Sequence, residues 1–160
     1  MFSNRFPLFP QNIAANALCE FAYVRIVSST AAEHFLDNVE QYATAKEVRK
    51  HDANQHVHKI AFYHESDEWG SWSKVGDPIM HIELRKWADV LVVAPASANT
   101  MAKIRAGICD SLLLNVVRAW DESSGPNGSK PKILCPAMNT CMWNQSVTRE
   151  TLSDLEGKKW

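Results

Sequence analysis

Apolar positions gather in the second half of the sequence. Asp89-Val90-Leu91-Val92-Val93-Ala94-Pro95 is almost wholly apolar, the pattern of a strand in a parallel sheet covered on both faces. Ahead of it, residues 81–88 are short and amphipathic and predict a helix. Behind it, Ser97-Ala98-Asn99-Thr100 reads as a strand-to-helix turn. Met101, Ile104, Ile108, Leu112 and Val116 then recur at spacings of three and four, which predicts one continuous helix with a single buried stripe. Lys132-Ile133-Leu134-Cys135-Pro136 predicts a second buried strand, and Asn139-Thr140 opens a final helix toward Leu155.

The first half is more polar. Pro7 and Pro10 break any early helix, so residues 1–16 are expected to be irregular, with a short helix over 15–21. Tyr23-Val24-Arg25-Ile26-Val27 alternates like a strand, and Ser28-Ser29-Thr30 supplies an N-cap for a helix through Leu36. Residues 38–59 read as a polar insertion, and Ile60-Ala61-Phe62-Tyr63 as a strand. A loop holding Asp67-Glu68-Trp69, Trp72, Gly76, Asp77 and Pro78 follows. Residues 121–131, rich in Ser, Gly and Pro, form a second loop. Strands alternating with helices imply a single α/β domain over 1–160, a parallel sheet with helices on both faces. In such sheets ligands sit beyond the carboxyl ends of the strands.

Charge and composition narrow the function classes. With 17 basic and 18 acidic side chains and a net charge of -1, the chain lacks the basic surface that nucleic acid or an anionic membrane would need. No apolar run approaches the roughly 18–20 residues of a membrane span, and the first ten residues lack the features of a secretory signal. A cytoplasmic location is the expectation. Cys19, Cys109, Cys135 and Cys141 form no C-x-x-C pair and are expected as reduced, mostly buried thiols. His51, His56, His58 and His64 lack ligand spacing, so no metal is expected.

Two segments carry candidate chemistry, the one from Pro95 through Thr100 and Pro136-Ala137-Met138-Asn139-Thr140-Cys141-Met142-Trp143. Both place small hydroxyl or amide side chains and backbone N–H groups where a helix begins, which suits a phosphate or a polar ring edge. Either alone is as well explained by helix capping. The two together, each after an apolar strand and a proline, favour a ligand site. Trp69 and Trp72 read either as walls of a ring pocket or as core.

The run HIELRKWADVLVVAPASANTMAKIRAGICDSLL followed by PAMNTCMW resembles the signature of the homo-oligomeric flavin-dependent cysteine decarboxylases. The flanking DEWGSWSKVGDP is similar to the branch acting on 4'-phosphopantothenoylcysteine in coenzyme A synthesis, rather than to the peptidyl-cysteine branch. The resemblance implies a flavodoxin-like, Rossmann-type fold and FMN bound between the subunits of a homotrimer or mixed trimer. It also implies decarboxylation of 4'-phosphopantothenoylcysteine to 4'-phosphopantetheine, by way of a thioaldehyde that serves as electron sink. By position in the motifs it implies that His81 is the catalytic acid/base, a task that suits imidazole; apart from the motif, His81 reads as a capping or core-edge residue. Ser97, Ala98, Asn99, Thr100 and Ala137 would contact the flavin, Ser29 and Thr30 would lie near its phosphate, and Asn139 would grip the substrate carboxylate.

The family's first strand ends in a Gly-Ser-Val-Ala turn, and its carboxyl end carries a flap with a protonating cysteine. This sequence has no glycine before Gly70 and ends at Trp160, so the expected sheet lacks that strand and that flap. The alternative function is a catalytically silent flavoprotein-like subunit, acting in a mixed trimer or as a regulator similar to the family's phosphatase inhibitors.

Overall fold

The computed structural model describes residues 22–37, 60–70, 72–122, 129–158 and 160. The expected irregular start, the helix over 15–21, the polar insertion over 38–59, and His51, His56 and His58 lie outside the described residues. The chain divides into two compact units between Tyr63 and His64.

In the first unit, β1 (Val24–Val27) pairs in parallel with β2 (Ile60–Tyr63), in register from Val24↔Ile60 to Val27↔Tyr63. β-Branched residues in β1 fit the pleated surface. Helix α1 (Thr30–Asp37) starts where Ser29 Oγ accepts from Ala32 N at 3.2 Å, as a serine cap should. Ser28 is buried; its N–H donates to Tyr63 O at 3.0 Å and its hydroxyl to Glu33 Oε1 at 2.9 Å.

The second unit runs α2 (Asp67–Gly70), α3 (Met80–Trp87), β3 (Leu91–Ala96), α4 (Ala98–Ala106), α5 (Leu112–Arg118), β4 (Lys132–Pro136), α6 (Thr140–Trp143) and α7 (Ser146–Gly157). Strands β3 and β4 are parallel, paired Leu91↔Lys132 through Val93↔Leu134, with a register shift before Ala96↔Pro136. Val93, Ala96, Met101, Ile104, Leu114 and Leu155 form the buried cluster, so β3, α4, α5 and α7 share one core. Truncating its larger members, Met101 or Leu155, to alanine should cost about 2–5 kcal/mol. That core fixes the ends of β3 and β4, where the two candidate segments begin.

Several expectations need correction. The stripe from Met101 to Val116 is divided between two helices. Gly107, at φ 72°, adopts the left-handed conformation that ends α4, a conformation glycine takes without strain. Ser111 Oγ accepts from Leu114 N at 3.2 Å and Glu65 Oε1 from Leu112 N at 2.7 Å, which together start α5. Ile108, between the helices, is exposed. The helix expected from Asn139 likewise splits into α6 and α7, and Asp67-Glu68-Trp69 belongs to the short helix α2 rather than to a loop.

The strands also differ from the expectation of two covered faces. Val93 and Ala96 are buried, but Val92 and Ile133 remain 46% and 48% exposed. Cys109, Cys135 and Cys141 are exposed free thiols, not buried ones. Trp69 and Trp72 are exposed, which removes them from the core.

Candidate functional site

The carboxyl ends of β3 and β4 lie side by side. Ala137 N donates to Ala96 O at 2.9 Å, which ties the turn after β4 to the end of β3. Each turn closes with an N-cap of matching backbone geometry: Ser97 and Asn139 both have φ -69° and ψ 160°. Ser97 Oγ accepts from Thr100 N at 3.1 Å and lies 3.0 Å from Thr100 Oγ1. Asn139 Oδ1 accepts from Met142 N at 3.0 Å. These bonds turn both side chains in a fixed direction, so capping and ligand placement are compatible uses of one residue.

What the caps leave over decides what the turns can hold. Ser97 satisfies Thr100 N through its side chain and Met101 N through its carbonyl at 2.9 Å, which leaves the N–H groups of Ala98 and Asn99 without intrahelical partners. No acidic residue stands in the first turn of α4. Hydroxyls at Ser97 and Thr100, the Asn99 amide and two backbone donors make a neutral set suited to a polar ring edge or a phosphate. The donor chemistry therefore fits a flavin. At Asn139 the cap occupies Oδ1, and among the described residues nothing accepts from Nδ2.

The second turn is anchored from below. Met138 packs against the core cluster, and Thr148 Oγ1, at the start of α7, donates to Met142 O at 2.6 Å. Asn139 itself is exposed. The turn is thus tied to the core while Asn139 faces solvent.

His81 belongs to a different cluster. It is the second residue of α3, whose N-cap, Ile79, makes no side-chain cap bond. Its Nδ1 lies 2.6 Å from Glu68 Oε1, and Glu68 is 3% exposed. Asn115 Nδ2, from α5, donates to both oxygens of Glu68 at 2.9 Å. A carboxylate buried this deeply needs such donors, because an unpaired one would cost several kcal/mol. No hydrogen bond among the described residues joins His81 to Ser97 or Asn139. The structure thus brings the turn holding Ser97, Ala98, Asn99 and Thr100 beside the turn holding Ala137 and Asn139, and joins His81 through hydrogen bonds to Glu68 and, beyond it, Asn115.

Ser29 and Thr30 lie in the first unit at the start of α1, where Ser29 caps the helix and Glu33 stands in the first turn. Glu68 and Asn115 escaped the sequence reading. A signal for Asn115 existed: it is the lone amide within the apolar run of α5.

Comparison with known proteins identifies the family. The flavoprotein family model matches residues 14–160. The phosphopantothenoylcysteine decarboxylase of Arabidopsis thaliana is 44% identical over 137 residues, covering 86% of this chain and 56% of the relative. The chain therefore spans about half the length of the curated relatives it matches. Among solved structures, a mutant PPC decarboxylase complexed with pantothenoylaminoethenethiol is 41% identical with a TM-score of 0.71, covering 89% of this chain and 67% of that one. The FMN-binding protein AtHal3 is 42% identical with a TM-score of 0.70, covering 89% of this chain and 66% of that one. With a parallel α/β framework, two capped turns at adjoining strand ends and these likenesses, the chain belongs to the flavoprotein family, among relatives that include phosphopantothenoylcysteine decarboxylases.

Proposed function

We propose that this chain is the flavin-binding part of an FMN-dependent carboxy-lyase acting on 4'-phosphopantothenoylcysteine. The observation that carries the reading is the pair of N-capped turns joined through Ala137 N and Ala96 O. Ser97, Ala98, Asn99, Thr100 and Ala137 would hold FMN. When bound, the flavin would supply the two-electron oxidation that lets the cysteine moiety lose its carboxylate, and the two-electron reduction that follows.

The chain's own residues bind, orient and exchange protons. Asn139 presents Nδ2 to the substrate carboxylate while Oδ1 stays on Met142 N. A neutral amide is well chosen for this. It grips the carboxylate without the strong charge stabilisation that would favour the ground state over the transition state for carbon dioxide loss. His81 exchanges a proton at Nε2, its Nδ1 being engaged by Glu68. His81 would serve a site completed between subunits, in a homotrimer or a mixed trimer.

The test is a single assay on the purified chain supplied with FMN and 4'-phosphopantothenoylcysteine. The reading expects a yellow protein that releases carbon dioxide, with a loss of about 10²–10⁴-fold on His81→Asn, the range for removing a general acid/base. Bound FMN with no carbon dioxide release would instead support the catalytically silent subunit. A colourless chain that cannot be loaded would remove both.

A further inference from the structure

The Glu68 carboxylate is the most deeply buried acidic group among the described residues, and the reaction outlined above gives it no role beyond its contact with His81 Nδ1. It lies on α2, thirteen residues from His81 and 47 from Asn115, so three separate elements converge on it. Asn115 donates to both of its oxygens. With both oxygens of the carboxylate accepting from Asn115, the remaining short contact, 2.6 Å to His81 Nδ1, suits a third donor, which is Nδ1 when it carries the ring proton.

We propose that Glu68 is a positioning residue that holds His81 in the Nδ1–H tautomer, with Asn115 holding Glu68 in turn, so that His81 offers the lone pair of Nε2 as its working atom. The inference rests on the proposed role of His81 but concerns an arrangement that exists with or without substrate. A histidine ring nitrogen is committed as donor or acceptor by the bond its partner nitrogen makes. Here one ring face of the choice is fixed by a buried anion, and the side chain remains 24% exposed, enough for its other nitrogen to be reached.

The geometry accounts for proton movement in both directions. A proton arriving at Nε2 leaves the Nδ1–H bond to Glu68 intact, and the imidazolium that results is paired at once with the carboxylate. The same proton can leave from Nε2 with no ring rotation. Carboxylate–imidazole pairs of this kind matter in other enzymes because loss of the carboxylate yields the wrong tautomer. Packing alone would not need this arrangement, since an apolar side chain of equal volume could fill the space beneath α3.

Long-range ¹H–¹⁵N correlation on the uniformly labelled full chain reads the tautomer directly, recorded at alkaline pH, with the His81 signals assigned by their loss in His81→Asn. The expected wild-type result is a protonated Nδ1 and an unprotonated Nε2. Glu68→Met, which keeps the volume and removes the acceptor, should shift His81 toward the Nε2–H tautomer and lower kcat by at least about tenfold with KM nearly unchanged. Glu68→Gln retains an acceptor and should restore the tautomer and most of kcat.

An Nε2–H tautomer in the wild-type chain overturns the proposal, as does a Glu68→Met protein that keeps both tautomer and kcat. If Glu68→Met does not fold, the wild-type tautomer still decides. A chain that releases no carbon dioxide refutes the proposed function, whereas the tautomer stands or falls on the nitrogen signals alone.

Discussion

The two polar clusters of the second unit are built in opposite ways. At the ends of β3 and β4, Ser97 and Asn139 bond to backbone groups three residues ahead, and their side chains remain exposed or partly so. Beneath α3, Glu68 is buried and its partners come from sequence separations of 13 and 47 residues. Local caps can be removed with small cost and leave the fold standing. A buried carboxylate and its donors form a unit in which losing one member leaves the others without partners. The turns are thus suited to meeting a ligand, and the buried cluster to holding a single side chain in one orientation.

The largest effect that separates the clusters is expected at Asn115. Replacing it with leucine removes both donors from the buried Glu68 carboxylate, and unfolding by denaturant should show a loss of about 3–5 kcal/mol, as for breaking a buried charged partnership. A loss below about 1 kcal/mol would place Glu68 in contact with water and blur the contrast.

Asn139 should behave differently. Asn139→Ala removes the cap of α6, with a stability cost of about 1 kcal/mol, while Asn139→Asp keeps an acceptor for Met142 N. Under the proposed role the aspartate is the worse enzyme of the two despite the better cap, because its charge repels the substrate carboxylate. Denaturation and KM measured on both variants check this; equal KM values would leave Asn139 a cap and nothing more.

Helix α3 offers a finer test, because it carries His81 at one end and is held at the other. Lys130 Nζ donates to the carbonyls of Arg85, Lys86 and Ala88 at 3.1, 3.2 and 2.6 Å, closing the helix where its dipole favours a cation. Lys130→Met should cost about 1–2 kcal/mol, the scale of charged hydrogen bonds at a part-buried position, and should leave FMN affinity unchanged.

The smallest effect lies in the loop before α3. Asp77 accepts from the Ser73 hydroxyl and from the backbone N–H groups of Ser73 and Lys74, and these bonds hold its carboxyl below the usual range. A carboxylate with a lowered folded-state pKa contributes stability that is present above the ordinary value of about 3.9 and is lost as pH falls through the lower folded value. The order of this loop should therefore be flat with pH near neutrality and decline only in acid. Amide exchange at Ser73 and Lys74 reads it, and Asp77→Asn should flatten the acid limb.

The contrast between clusters also explains what the sequence could tell. Strands β1 to β4 and the cap at Ser97 follow from runs of apolar residues and from a serine just before a helix, all local signals. The division of one apolar stripe into α4 and α5 was legible too, had Gly107 and Ser111 been read as stop and start. The Glu68–His81–Asn115 cluster was not, because its members are polar residues on three elements and only the packing of α3 on α5 and α2 brings them together. The exposure of Cys135 and Val92 was missed for a related reason. An apolar strand announces that it is apolar, but not which of its faces the chain itself covers.

The central claim is that the β3–α4 turn holds the flavin, and FMN titration followed by quenching of flavin fluorescence tests it most directly, comparing the wild-type chain with a Ser97→Ala, Thr100→Ala double variant. The account predicts saturable binding that weakens by at least about tenfold when both hydroxyls are removed, the value of roughly two hydrogen bonds, while the far-ultraviolet spectrum is unchanged. Binding of equal strength in the two proteins would contradict it.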